Sequence, residues 1–319
     1  MNTESIDQYL KILRPLGRPI VKAHDCCWEE ARRFGYVPVP SGLPVPVSAR
    51  DIRYMFWKGG ALALRVFSNR STEGDLTFYH ACKDHHYDLT SLRSEARRKV
   101  LRGLKNCQVK ELDKKDLSPL FEQGIKINAS ALARQKRPGQ RVFRDADMWR
   151  CLLEVYKGIS HIRIYGAFSK NQLCAYLVIF QSDKLALYLH SFSSTEFLRY
   201  YPNNALLFYA TKDIMKNPEI DEFYIGLESL ASKNSLNEFT LSLGFQRYPI
   251  WQKLILHPFL KPLTSDLALT LMRASSQRFG SDYLVGANNF LQGLKSKPIL
   301  DRSHSTGLEK NDEIEGDMS

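Results

Sequence analysis

The stretch Gln172–Phe245 constrains the fold of this chain more than any other. Two apolar runs, Gln172–Gln181 and Lys184–Ser193, flank a short Ser182-Asp183 turn and predict a strand pair. A polar loop ends in Pro202-Asn203-Asn204, and a helix opens at Ala205-Leu206-Leu207-Phe208. A third strand, Glu222–Leu227, leads to a short helix closing on Leu243-Gly244-Phe245. A strand, a loop and a helix start in this order can form an anion site, because the first helical N–H groups have no internal partner.

The length of 319 residues allows one large domain or two smaller ones. No apolar run approaches the roughly 20 residues that span a bilayer, and the start Met1–Asp7 carries acids without an apolar core, unlike a secretory signal. Six cysteines without regular spacing fit reduced thiols, and so a cytoplasmic location, better than a disulfide frame. The net charge is +11, but residues 303–319 hold five acids against one lysine, which leaves +15 on residues 1–302. Such an excess suits an anionic partner without choosing among a phosphorylated cofactor, a carrier protein, a nucleic acid or a lipid surface.

Along the chain, Val21–Phe34 reads as a helix and Val37–Val47, with four prolines, as an extended connector. Ile52–Lys58, Ala61–Phe67 and Leu76–Cys82 read as strands, with Gly59-Gly60 as a hairpin signal between the first two. A basic helix is expected over Ser91–Lys105, a strand at Gln108–Leu112, and helices over Ser118–Arg134 and Asp145–Tyr156. From Ser160 the pattern is strand-strand-strand-helix-strand-helix-strand, ending at Arg247–Leu256. Ser235-Leu236-Asn237-Glu238 has the form of a capping box, and Gly244 stands where a left-handed helix end is wanted. Residues 262–294 read as amphipathic helices that dock on the core or meet a partner or a membrane surface. From Lys295 the tail is polar and reads as disordered.

Four segments resemble the GNAT acyltransferase superfamily, and more closely its divergent branch of Fem-type transferases and CelD-like (cellulose-biosynthesis) acetyltransferases. They are the basic helix Ser94–Gly103, the segment Leu132–Arg137, the helix-opening loop Tyr201–Leu207, and Ser235–Phe239 with Leu243-Gly244-Phe245. The resemblance covers roughly residues 90–256. It implies an α/β (α+β) fold with a mixed, mostly antiparallel sheet flanked by helices. The expected division is a partial GNAT-like module over 1–112, the acyltransferase domain over 113–260, helices over 261–294 and an acidic tail over 295–319. The implied activity is transfer of an acyl group from a thioester, acyl-CoA (acetyl-CoA) first, to an amine or hydroxyl of a sugar, envelope precursor or small metabolite, with no metal. Two departures stand out. The spaced glycines of the usual pyrophosphate loop are missing from Ser194–Pro202, and Thr240 stands where many members place a tyrosine acid. The Fem branch uses aminoacyl-tRNA, so tRNA and acyl-carrier protein remain alternative donors, and a non-catalytic binding module is a third reading.

Acyl transfer needs an anchored donor, a held oxyanion and a deprotonated acceptor. Pro202, Asn203 and Asn204 offer free N–H groups and a positive helix end, with Arg199 nearby; the plain alternative is an ordinary helix start. His190 is a candidate base, and strand alternation puts it on the face of Ala186 and Tyr188, opposite Leu185, Leu187 and Leu189; the alternative is a hydrogen-bonded core histidine. Glu228 is a second candidate base, against a capping or surface role. Ser235 is a candidate acid, against a simple helix cap. Arg97, Arg98, Arg102 and Arg134 are candidates for an acidic acceptor or nucleic-acid phosphates, against a solvated face. His80, Cys82, His85 and His86 match no well-defined zinc spacing.

Overall fold

The computed structural model describes residues 1–71, 74–135, 141–228 and 235–260. The chain divides into two compact units, Met1–His257 and Pro258–Ser319. Of the second only residues 258–260 are described, so the helices expected over 262–294 and the tail after Lys295 lie outside the described residues.

Eleven strands form one sheet in the first unit. In chain order they are β1 (Ile20–Lys22), β2 (Cys27–Arg32), β3 (Gly35–Pro38), β4 (Ala63–Ser68), β5 (Asp75–Cys82), β6 (Gln108–Glu111), β7 (Ile162–Ser169), β8 (Gln172–Ser182), β9 (Leu185–Ser193), β10 (Glu222–Leu227) and β11 (Gln246–Leu256). Their order across the sheet is β1-β2-β3-β4-β11-β5-β10-β9-β8-β7-β6. Two neighbouring pairs are parallel, β3 with β4 and β9 with β10; the others are antiparallel. The two halves repeat one course. β1 to β5 and β7 to β11 each lay down three antiparallel strands and a parallel fourth. Each then sends its last strand past the last strand of the other half. This exchange of β5 and β11 ties the halves into one unit.

Helices cover both faces. α1 (Thr3–Leu13), α4 (Ile125–Gln135) and α5 (Ala146–Lys157) share one apolar cluster with Tyr176, Val178, Phe180 and Leu187 of the sheet. α3 (Ser94–Asn106) and α6 (Pro202–Met215) share another with Leu177, Ile179 and Ala186 on the opposite face, and Leu243 and Phe245 follow α7 (Ser235–Ser242) into it. α6 buries Leu206, Leu207, Phe208, Ala210, Ile214 and Met215, so it is apolar around most of its circumference and sits deep in that layer. Burying side chains of this size stabilises by roughly 1.5–3 kcal/mol each, which fixes the helix start in place.

Three local expectations are corrected. Val21–Phe34 is not a helix; it forms parts of β1 and β2. The helix propensity of Glu29-Glu30-Ala31-Arg32 loses to sheet pairing on both sides and to full burial of Trp28. Ile52–Lys58 is not a strand but lies in α2 (Ala49–Trp57) and its C-cap. Ser48 and Asp51 form a reciprocal capping box there, Ser48 N donating to Asp51 Oδ2 at 3.0 Å and Asp51 N to Ser48 Oγ at 3.1 Å. Gly59-Gly60 is therefore no hairpin turn; Gly60, at φ +72°, follows the end of α2.

Candidate functional site

The parallel pair β9–β10 is short. Its register runs Glu222↔Leu185, Phe223↔Ala186 and Tyr224↔Leu187, and stops. Beyond that point β9 continues to Ser193 against β8, and β10 continues to Leu227 against β5. Both strands carry a bulge where they part. In β9, Tyr188 pairs with Ile179 and His190 with Val178, leaving Leu189 over; in β10, Ile225 is left over between Tyr224 and Gly226. Bulges re-aim side chains and end pairing. Gly226 adopts φ +147°, a region that excludes side chains. Leu189, Ile225 and Gly226 all line a cleft of about 290 Å³, closed by α1, β2, β3 and β4.

The Leu189 bulge overturns the expected face of His190. The extra residue reverses the alternation, so His190 joins Leu187 on the α1/α4/α5 face. Its ring lies among Phe143 (4.9 Å), Tyr176 (5.9 Å), Phe192 (5.9 Å) and Tyr156 (6.0 Å). The residue as a whole is half-buried, but Nε2 is buried without a hydrogen-bond partner. Burial pushes its pKa down to about 3. An imidazole of that kind is neutral at pH 7 and a weak base, and it is not among the residues lining the cleft.

The start of α6 gathers several expected residues. Tyr201 is left-handed (φ 56°, ψ 45°) and Pro202 takes the first helical position, where its missing N–H costs nothing. Asn203 Nδ2 donates to Ser193 Oγ at 2.9 Å, and Asn203 Oδ1 is buried without a partner. Arg134 of α4 reaches the same spot, donating to Ser193 O (3.2 Å), Ser193 Oγ (3.3 Å) and Thr195 Oγ1 (2.8 Å). From the other side Arg102 and Lys99 lie 5.3 and 6.0 Å from the Tyr201 ring. Asn203, Asn204, Arg102 and Arg134 thus surround one helix terminus.

The remaining candidates lie elsewhere. Arg199 is exposed and rests on the Tyr200 ring at 4.9 Å. Arg97 donates to the carbonyls of Leu89 (2.8 Å), Leu92 (3.3 Å) and Thr90 (3.4 Å), so it braces the segment before α3. Arg98 is exposed. Glu228 accepts from Arg247 Nη2 at 2.7 Å. The side chain of Ser235, and residues 136–140 of the expected basic loop, lie outside the described residues. Thr240 Oγ1 lies 2.5 Å from His80 Nδ1, while His85 Nδ1 meets Met215 O at 3.1 Å. Among the described residues no three His, Cys, Asp or Glu side chains gather to hold a metal.

Four cleft residues carry polar chemistry that sequence reasoning missed: Arg18, Glu29, Arg65 and Tyr224. Arg18 and Glu29 form an ion pair at 2.6 Å, with Glu29 fully buried. No local signal marked Glu29 for burial, because Val21–Phe34 read as a helix.

The parted parallel pair, the mixed sheet and the flanking helices make a GNAT-like fold. Solved structures share it. The C-terminal domain of a putative lysylphosphatidylglycerol synthetase from Agrobacterium fabrum is similar over 86% of this chain and 97% of its own, with TM-score 0.55 and 12% identity. L-PGS from Bacillus licheniformis is similar over 82% of this chain and 94% of its own, with TM-score 0.54 and 12% identity. FemX is similar over the same shares, with TM-score 0.53 and 10% identity. No protein-family model and no curated protein matches the chain. No helix among the described residues is long and apolar enough to cross a membrane.

Proposed function

We propose that this protein transfers an acyl group from a phosphate-bearing carrier, acyl-CoA in the leading reading, to an amine or hydroxyl of a small molecule or envelope precursor held in the β9–β10 cleft. The observation that carries the reading is the parting of β9 and β10 after Leu187 and Tyr224, with a bulge in each strand facing one cleft. The amides of Asn203 and Asn204, with Arg134 and Arg102, would hold the carrier's phosphates by hydrogen bonding, helix dipole and charge. Asn203 Oδ1 suits an N–H donor such as an amide of the carrier's arm. Two modules divided near residue 112 would then share one active unit. Glu228, ion-paired to Arg247, stays a candidate base at the end of β10, and Ser235 a candidate acid. We assign no base role to His190.

A second reading replaces the thioester with aminoacyl-tRNA. It is favoured by the basic collar of Lys99, Arg102 and exposed Arg98 beside the helix start, and by likeness to FemX and to structures named for lysylphosphatidylglycerol synthesis. Thermal melts of the full chain with acetyl-CoA, longer acyl-CoAs, acyl-carrier protein and charged tRNA test both, since a ligand bound only by the native state raises Tm. A rise with acyl-CoA supports the leading reading and a rise with charged tRNA alone the second. No rise with any of the four overturns the transferase proposal.

A further inference from the structure

Glu29 is fully buried yet uses only one of its carboxylate oxygens. Oε2 accepts from Arg18 Nη1 at 2.6 Å, and Oε1 is buried with no hydrogen-bond partner among the described residues. Leaving a buried charged acceptor bare costs more than leaving a neutral one bare. Such an atom therefore marks a place for a donor that arrives from outside the chain. Glu29 is among the residues that line the cleft, so a ligand seated there comes to lie beside this carboxylate.

Arg65 of β4 lines the same cleft. Its Nε donates to Gln252 Oε1 at 2.8 Å and its Nη2 to the same oxygen, and its guanidinium rests 5.0 Å from the Phe67 ring. Among the described residues no carboxylate pairs with it. Burial lowers its pKa, but a guanidinium keeps its proton in a protein. It is thus a partly desolvated cation whose resolved partner is a neutral amide.

The sheet relates the two charges. Glu29 of β2 faces Val37 of β3, and Tyr36 of β3 faces Leu64 of β4, so Glu29, Val37 and Arg65 stand in successive positions of one row. All three line the cleft and therefore rise from one face. Two strand spacings separate the backbones of Glu29 and Arg65, about 10 Å. An anionic and a cationic side chain that line one cleft from backbones that far apart fit a short molecule with one positive and one negative end. The apolar walls from Ile12, Leu13, Phe67, Leu187 and Leu189 strengthen both interactions by excluding water. Burial first, and then the Glu29 charge, raise the pKa of the Tyr9 phenol, so this wall residue stays an uncharged hydroxyl. A volume of about 290 Å³ lies at the small end for ligand sites.

We propose that this end of the cleft binds a free amino acid or a similarly small zwitterion, its ammonium donating to Glu29 Oε1 and its carboxylate taken by Arg65. The planar guanidinium fork suits a carboxylate. Reading the ligand as the acyl acceptor rests on the proposed function; its binding does not.

The test uses the full chain in thermal melts with each of the standard L-amino acids. The strongest binder is then titrated beside its carboxamide and its deaminated acid. We expect at least one amino acid to raise Tm. Its affinity should fall about tenfold or more when either charge is removed, and likewise in Glu29→Gln and Arg65→Gln. Should Glu29→Gln fail to fold because Arg18 loses its counter-ion, Arg65→Gln and the two analogues on the unaltered protein decide. No rise with any amino acid, as when a water alone satisfies Oε1, overturns the proposal, and so does affinity that survives loss of both charges. Donor melts are read separately: donor binding without amino-acid binding sinks this pocket alone, and amino-acid binding without a rise from any of the four donors sinks the transferase reading alone.

Discussion

His80 Nδ1 lies 2.5 Å from Thr240 Oγ1, joining β5 to α7 across sequence and space. Thr240 Oγ1 also donates to the Asn237 carbonyl at 2.9 Å, so Nδ1 carries the proton of this pair and Nε2 is left as a bare, buried acceptor. Burial holds the His80 pKa below its ordinary value, against the opposing Glu228 charge, which keeps the ring neutral. Thr240→Val leaves both ring nitrogens unpartnered and should cost about 1–3 kcal/mol in chemical denaturation, whereas Thr240→Ser should recover most of it. Equal stability of the Val and Ser variants would show that the bond contributes nothing.

His190 gives a pH signature of opposite use. Its folded pKa is pushed down to about 3, while an unfolded histidine titrates near 6.5. Between those values the unfolded chain binds the extra proton, so stability falls as pH drops from about 6.5 toward 3 and is unaffected above that window. The slope from this group is at most about 1.4 kcal/mol per pH unit. His190→Phe keeps the aromatic contacts with Phe143 and Tyr176 and removes the titration. Denaturation between pH 4 and 7 should therefore flatten by about one proton, and activity at neutral pH should persist. An unchanged slope, or lost activity in a folded variant, would restore a chemical role to the imidazole.

Local signals were legible in the sequence, and long-range ones were not. The Ser182-Asp183 turn, the Pro202 helix start and the Gly244 helix end follow from short-range rules. The structure has Asp183 at φ 45° and Gly244 at φ +82°. The Leu189 bulge depends on how β8 and β9 register against each other, which alternation within one strand cannot reveal. Glu29 was hidden for a related reason. Its neighbours favour a helix when read alone, and its burial arises only once β1 and β3 pair on either side and Arg18 arrives from 11 residues away. The Ser48–Asp51 box was readable, but the alternation of Ile52, Tyr54 and Phe56 masked it. The four segments of the family likeness lie mainly in helices and helix starts, where short-range rules are strongest.

Gly103 sets how closely α3 approaches the start of α6. A Cβ there would stand 2.7 Å from Tyr201 O and 2.8 Å from Ala205 Cβ. Gly→Ala inside a helix ordinarily gains up to about 1 kcal/mol. Here overpacking against backbone, at about 1–3 kcal/mol, should win. Gly103→Ala should lower Tm and reduce the donor-induced rise in Tm, because the helix start must shift to admit the methyl group. A more stable variant with donor binding intact would mean that the contact is slack.

Arg134 is the charged residue most firmly tied to the α6 start, with three hydrogen bonds to Ser193 and Thr195. Under the proposed function its charge attracts the donor's phosphates while its fork holds the end of β9. Arg134→Ala should weaken donor binding about 10- to 100-fold, the range expected for a lost charge-assisted contact. Arg134→Lys should fall between, since a lysine keeps the charge and loses the fork. Added salt should weaken the unaltered protein more than the alanine variant, because only the former has that charge to screen. Calorimetric titration at two ionic strengths, with melts as a folding control, makes the comparison. If all three proteins bind the donor alike, the phosphates are held elsewhere and the helix start is only structural.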